Sequence, residues 1–137
     1  MKTKYSRKII ESDIDVLNHV NYSVYIDIMS HGRIEWVGEI LGTLEYMTSE
    51  RRIAYPLVNL EINYVKETLL GDELTVVTEP KEIGNKSFVL KQQVFNKKNE
   101  LVADGEVKHV MFNLEDRKSI PVVPEIRQVF ENVMVVK

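Results

Sequence analysis

An α+β domain is what this sequence predicts: one long central helix wrapped by a mostly antiparallel sheet of about five strands, with a short C-terminal helix. Two observations carry that expectation. From about Tyr22 to Leu41 the apolar residues recur at helical spacing around most of the circumference. From Tyr55 onward come four long β-type runs separated by short turn signals. An antiparallel sheet that buries one face needs a cover, and one long helix is available to supply it.

Taken in order, Lys4 to Glu11 alternates loosely and reads as a short strand. In the helix, at about 100° per residue, Tyr25, Met29, Trp36 and Ile40 share a side flanked by Ile26 and Val37. Val24, Ile28, Ile34 and Leu41 widen the apolar sector, leaving Asp27, His31 and Glu35 as a narrow polar row. A helix this apolar expects cover on most sides. Gly32 and Gly38 each cost about 1 kcal/mol relative to Ala inside a helix, so close approach of another backbone is expected at both. "GTLEYMTSERR" reads as a loop.

The strands follow. In "YPLVNLEINYVKE", Leu60, Ile62 and Tyr64 alternate with polar neighbours. "GDELTVVTEPKEI" starts at a Gly71-Asp72 turn, and Gly84 to Ser87 marks another. "FVLKQQVFN" and "LVADGEVKHVMFNLE" flank a hairpin tip at Lys97 to Glu100, the second strand bending at Gly105. Pro124 to Val133 reads as a short amphipathic helix with Pro124 in its first turn.

Composition bounds the function. A chain of 137 residues, 44% hydrophobic and 28% charged, is expected to form a single globular domain over residues 1–137. No apolar run approaches the roughly 20 residues that span a bilayer. The basic start "MKTKYSRKII" runs into "ESDID" rather than into a signal-peptide core. A net charge of −3 offers no broad basic face for nucleic acid. Without cysteine there are no disulfides, no thiolate metal sites and no cysteine nucleophile. His19 and His31 stand too far apart to suggest a metal site by themselves. A cytoplasmic protein with no metal, no cofactor, no membrane and no nucleic-acid partner is the expectation.

Chemistry concentrates in "DIDVLNHVNYSVYIDIMSHGR", Asp13 to Arg33, where Asp15, Asn18, His19 and Asn21 crowd the mouth of the apolar helix. Asp and Asn there can cap orphan amides of the first turn. They can also furnish a reaction site, because a helix start joins free N–H donors to the positive end of the dipole. For Asp15 both roles stand open, and so they do for His19. His31 fits a structural pairing with Asp27 or Glu35 as well as a place facing substrate. Asn21 and Ser23 suit capping, while Tyr25 and Trp36 suit the core.

The stretch resembles the hot-dog-fold thioesterases, the broad group that includes 4-hydroxybenzoyl-CoA, acyl-CoA and acyl-carrier-protein thioesterases. The carrying residues are Asp13-Ile14-Asp15-Val16, His19-Val20-Asn21 and Tyr25-Ile26, in the form D-x-D-x-x-x-H-V-N-x-x-x-Y, followed later by Tyr64 and Gly71-Asp72-Glu73-Leu74. Leu17 and His31 stand where plant-type members carry Asn and an acid, and Asn18 where bacterial ones often carry Gly. The resemblance implies a hot-dog fold and Asp15 as the catalytic carboxylate, nucleophile or general base. Amides near Tyr22, Ser23 and Val24 would hold the thioester oxygen, with His19 and Asn18 positioning groups and His31 facing substrate. The implied reaction is hydrolysis of an acyl-CoA or acyl-carrier-protein thioester to acid and thiol. The alternatives are a dehydratase or hydratase on acyl thioesters, and a module that binds them without turnover. The resemblance also implies a homodimer or homotetramer with the site at the subunit boundary.

Overall fold

Helix α1 runs from Tyr22 to Leu41, the bounds its periodicity predicts. Asn21 caps it, its side chain accepting from Ser23 N–H at 2.9 Å. The computed structural model describes residues 1–135. Before α1 lies β1 (Thr3–Lys8), and after it come a short helix α2 (Leu44–Ser49) and strand β2 (Ile53–Ala54). Four long strands follow, β3 (Leu57–Tyr64), β4 (Glu73–Ile83), β5 (Ser87–Phe95) and β6 (Leu101–Val110). The chain closes with β7 (Phe112–Asn113), β8 (Lys118–Ser119) and α3 (Pro124–Val135).

The main sheet has five strands in the order β1-β4-β5-β6-β3, every neighbouring pair antiparallel. A smaller sheet orders β2-β7-β8. One face of the main sheet packs on α1 in two clusters. The amino-terminal half of α1, with Val24, Tyr25, Ile28 and Met29, meets Leu74, Val76, Val94 and Val107. The other half, with Trp36, Val37 and Leu41, meets Phe88, Leu90 and Met111, and α3 closes it with Ile126 and Phe130. Trp36 is fully buried, its ring centroid 5.9 Å from that of Phe130 and 6.4 Å from that of Phe88. Its indole N–H donates to the Met1 carbonyl at 3.1 Å.

The glycine expectation divides. At Gly32 a Cβ would stand 2.6 Å from Val76 Cγ1, so α1 lies close on β4 there. At Gly38 nothing would lie within 4 Å, and the predicted close approach is absent. Gly105, where a bend is expected, lies inside β6. β6 stays paired through it to both neighbours, and a Cβ there would meet the Glu61 carbonyl oxygen at 2.2 Å. The segment read as a loop contains α2. Thr43 caps it by accepting from Tyr46 N–H at 3.0 Å, and Met47 anchors it in the core. One turn and a half leaves too little periodicity for sequence pattern to register. Among the described residues no helix is long and apolar enough to cross a membrane.

Candidate active site

The two aspartates of the motif separate into two environments. Asp13 is buried and accepts from Arg7 Nη2 at 2.6 Å and from Ile10 N–H at 2.9 Å. Its own carbonyl accepts from Asn21 N–H at 2.9 Å, which ties the loop to the start of α1. Asp15 is half-buried and lines a cleft of about 330 Å³ with His19, Tyr22, Tyr25, Tyr64 and Glu67.

The loop carrying Asp15 is a tight reversal. Ile14 bridges Val20, Asp15 N–H donates to the His19 carbonyl at 3.0 Å, and Asn18 N–H donates to the Asp15 carbonyl at 3.0 Å. Asn18 sits at φ 64°, a left-handed conformation that Asn tolerates better than most residues. One carboxylate oxygen of Asp15, Oδ1, accepts from Leu17 N–H at 2.9 Å. Oδ2 has no protein donor among the described residues.

At the start of α1 the amides are unequally available. Ser23 N–H is held by the Asn21 side chain and Val24 N–H by the Asn21 carbonyl at 3.0 Å. Tyr22 N–H, the first of the helix, meets no acceptor among the described residues. Tyr22, Ser23 and Val24 are therefore not equivalent, and of the three only Tyr22 lines the cleft.

The remaining candidates are placed as follows. His19 Nε2 lies 2.8 Å from Glu67 Oε2, both side chains about half exposed at the cleft. The charged group His19 meets is thus Glu67. Asn18 shapes the turn through its backbone and does not line the cleft. His31 stands outside the cleft. Its Nδ1 lies 2.9 Å from the Asp27 carbonyl, and its ring stacks on Tyr5 with centroids 5.5 Å apart.

Two tyrosines missed as site residues wall the cleft. Tyr25 hydroxyl donates to Thr68 Oγ1 at 2.8 Å, and burial raises its pKa above the ordinary phenol value. Tyr64 meets Tyr25 edge to face at 5.3 Å and its hydroxyl lies 3.5 Å from the Tyr22 carbonyl. Their spacing in sequence, 25 against 64, hides the contact. Among the described residues no group of three or more acids and histidines gathers in a way that could hold a metal.

A five-stranded antiparallel sheet packed on one long helix, with an acid at the amino end of that helix, defines a hot-dog-fold protein. The chain belongs to the thioesterase-like superfamily, whose family model matches residues 11–130. It is 29% identical over 123 residues to the long-chain acyl-CoA thioesterase FadM of Escherichia coli, covering 88% of this chain and 91% of that one. It is also 29% identical to the 1,4-dihydroxy-2-naphthoyl-CoA hydrolase of Crocosphaera subtropica, covering 90% of this chain and 85% of the other. The fold matches the crystal structure of Slr0204, a 1,4-dihydroxy-2-naphthoyl-CoA thioesterase from Synechocystis, with a TM-score of 0.84 at 19% identity over 98% of both chains.

Proposed function

We propose that this protein hydrolyses an acyl-CoA thioester to a carboxylic acid and free thiol, with Asp15 as general base and Tyr22 N–H as oxyanion donor. The observation that carries the reading is one cleft lined by both the half-buried carboxylate of Asp15 and the residue that bears the unpaired first amide of α1. Family membership and the CoA esters named for the relatives point to the same substrate class.

A thioester carbonyl needs little activation. The Tyr22 N–H and the positive end of α1 stabilise the oxygen that becomes negative as water adds. The carboxylate of Asp15, with Oδ1 held by Leu17 N–H, keeps Oδ2 to take the proton of that water. Collapse of the tetrahedral adduct breaks the C–S bond, and the proton leaves with the thiolate as thiol. Glu67 draws His19 to the cleft rim, where the pair borders the substrate.

Two copies joined through β3 complete the site in this reading. β3 is an edge strand with Leu57, Val58 and Tyr64 exposed, and Val65 follows just beyond its end. The opposite edge, β1, exposes Lys4 and Lys8, charges that discourage edge pairing. Tyr64 and Val65 also line the Asp15 cleft, so a partner on β3 would cover it.

The deciding assay is free-thiol release from a panel of acyl-CoAs. Wild-type protein releases thiol, and Asp15→Asn lowers kcat by about 10²–10⁴-fold, the usual contribution of a positioned base. Tight acyl-CoA binding with no thiol released would make the protein a binding module, and an unchanged rate in Asp15→Asn would remove Asp15 from the chemistry.

A further inference from the structure

A cavity of about 600 Å³ lies away from Asp15, beside the middle of α1. Its wall is mostly apolar, with Ile34, Met47, Leu57 and Leu114, yet it holds two arginines and no carboxylate. Arg117 is exposed, its guanidinium 5.2 Å from the Phe112 ring centroid. Arg33 is the unusual one. It is 6% exposed, and its Nη1 donates to Gln92 Oε1 at 2.9 Å.

Gln92 is fixed in turn, donating to the Met29 carbonyl at 2.8 Å and to Thr78 Oγ1 at 2.9 Å. Among the described residues no acid pairs with Arg33, and its other N–H groups meet no protein acceptor. Burial pushes the guanidinium down to about 10 from its ordinary range. A buried charge without a counter-charge is expensive in an interior, and an acceptor entering the cavity would offset that cost. His109 cannot be that partner as an anion. Its Nδ1 lies 2.7 Å from the Tyr55 carbonyl and must carry the proton, and burial holds the ring down to about 4, so it is neutral at pH 7.

Cleft and cavity both border α1, the first at its amino end and the second at its middle. Tyr22, Ile26, Ser30 and Ile34 recur every four residues, the first bordering the cleft and the last two bordering the cavity. Tyr22, Ile26 and Ile34 are all exposed, an apolar row on the helix that otherwise forms the core. From Tyr22 to Ser30 is about 12 Å at 1.5 Å per residue, the reach of a medium-length to long acyl chain.

We propose that the acyl chain lies along this row with its far end in the Arg33 cavity, and that the preferred acyl group carries an oxygen acceptor there, a carboxylate above a hydroxyl above a methyl. The inference rests on the acyl-CoA reading above and adds what it leaves open, the chemistry of the acyl group. Planar N–H donors of arginine match a carboxylate two to two, which a lone hydroxyl satisfies only in part.

The experiment measures three CoA esters of one length: dodecanoyl, ω-hydroxydodecanoyl, and the monothioester of dodecanedioic acid. Equilibrium binding is read on full-length Asp15→Asn protein, and kcat/KM on the wild type. The dicarboxylic ester should bind at least tenfold tighter than the methyl-ended one. With Arg33→Met added, that ratio should fall to within about twofold, and Arg33→Lys, a charge without the planar fork, should retain an intermediate ratio. Equal binding of the three esters in Asp15→Asn overturns the proposal without any change at residue 33. So does a preference that Arg33→Met leaves intact. A preference in binding with no turnover in the wild type would remove the hydrolase reading and leave the cavity assignment standing. Turnover with no preference would do the reverse.

Discussion

At the scale of single residues the motif's two aspartates do different work, and substitution should separate them. Asp13→Ala leaves Arg7 without its buried partner, a change that typically costs about 3–5 kcal/mol, and chemical denaturation should find stability falling by that order. Asp15→Asn should unfold with the parent midpoint while losing turnover. The motif was legible in sequence, but which aspartate faced the cleft was decided by Arg7, whose pairing with Asp13 turns that side chain inward. Arg33 and His109 were not legible at all. Arg33 meets Gln92 across 59 residues and His109 meets Tyr55 across 54, so only the folded sheet brings each pair together. His109 gives a pH prediction. Its pKa is depressed to about 4 in the fold against an ordinary 6.5. The unfolded chain therefore binds the proton first, and the stability is whole above pH 6.5 and lost as pH falls toward 4. The loss should be of order 3 kcal/mol, and His109→Asn should flatten the slope of stability between pH 6.5 and 4 measured by denaturant titration.

Among elements, α1 offers a matched pair of tests. Gly32→Ala pushes a methyl against Val76 and should destabilise by about 1–3 kcal/mol, as overpacking does. Gly38→Ala meets open space and should stabilise by up to about 1 kcal/mol, the helix-propensity gain. Equal denaturation midpoints for the two variants would contradict the packing described. The sequence could say that both glycines were costly but not which one had a neighbour, because the neighbour belongs to β4. Strands β3 to β6 were readable from alternation and their turns. The short elements α2, β2, β7 and β8 were not, because two to six residues carry no measurable period. Thr43 was the one local sign of α2.

For the molecule as a whole, the contrast between its two sheet edges predicts how copies meet. A lysine in place of Val58 puts a charge on the apolar edge, and sedimentation should show Val58→Lys shifting toward single chains with a parallel loss of thiol release. A wild-type protein that sediments as one chain at full activity would refute pairing through β3. The general arrangement of sheet and helix followed from counting one long helix against four long strands, whereas the placing of cleft and cavity along α1 depends on strands far from it in sequence. Another consequence follows from Trp36, the sole tryptophan, enclosed by Phe88, Phe130 and the Met1 carbonyl. It is a natural optical reporter seated under the last helix. Its emission should redden when α3 lifts away, and it should stay silent to events at the amino end of α1, so one cuvette can follow loosening of the carboxy-terminal half apart from anything that happens at the Asp15 cleft.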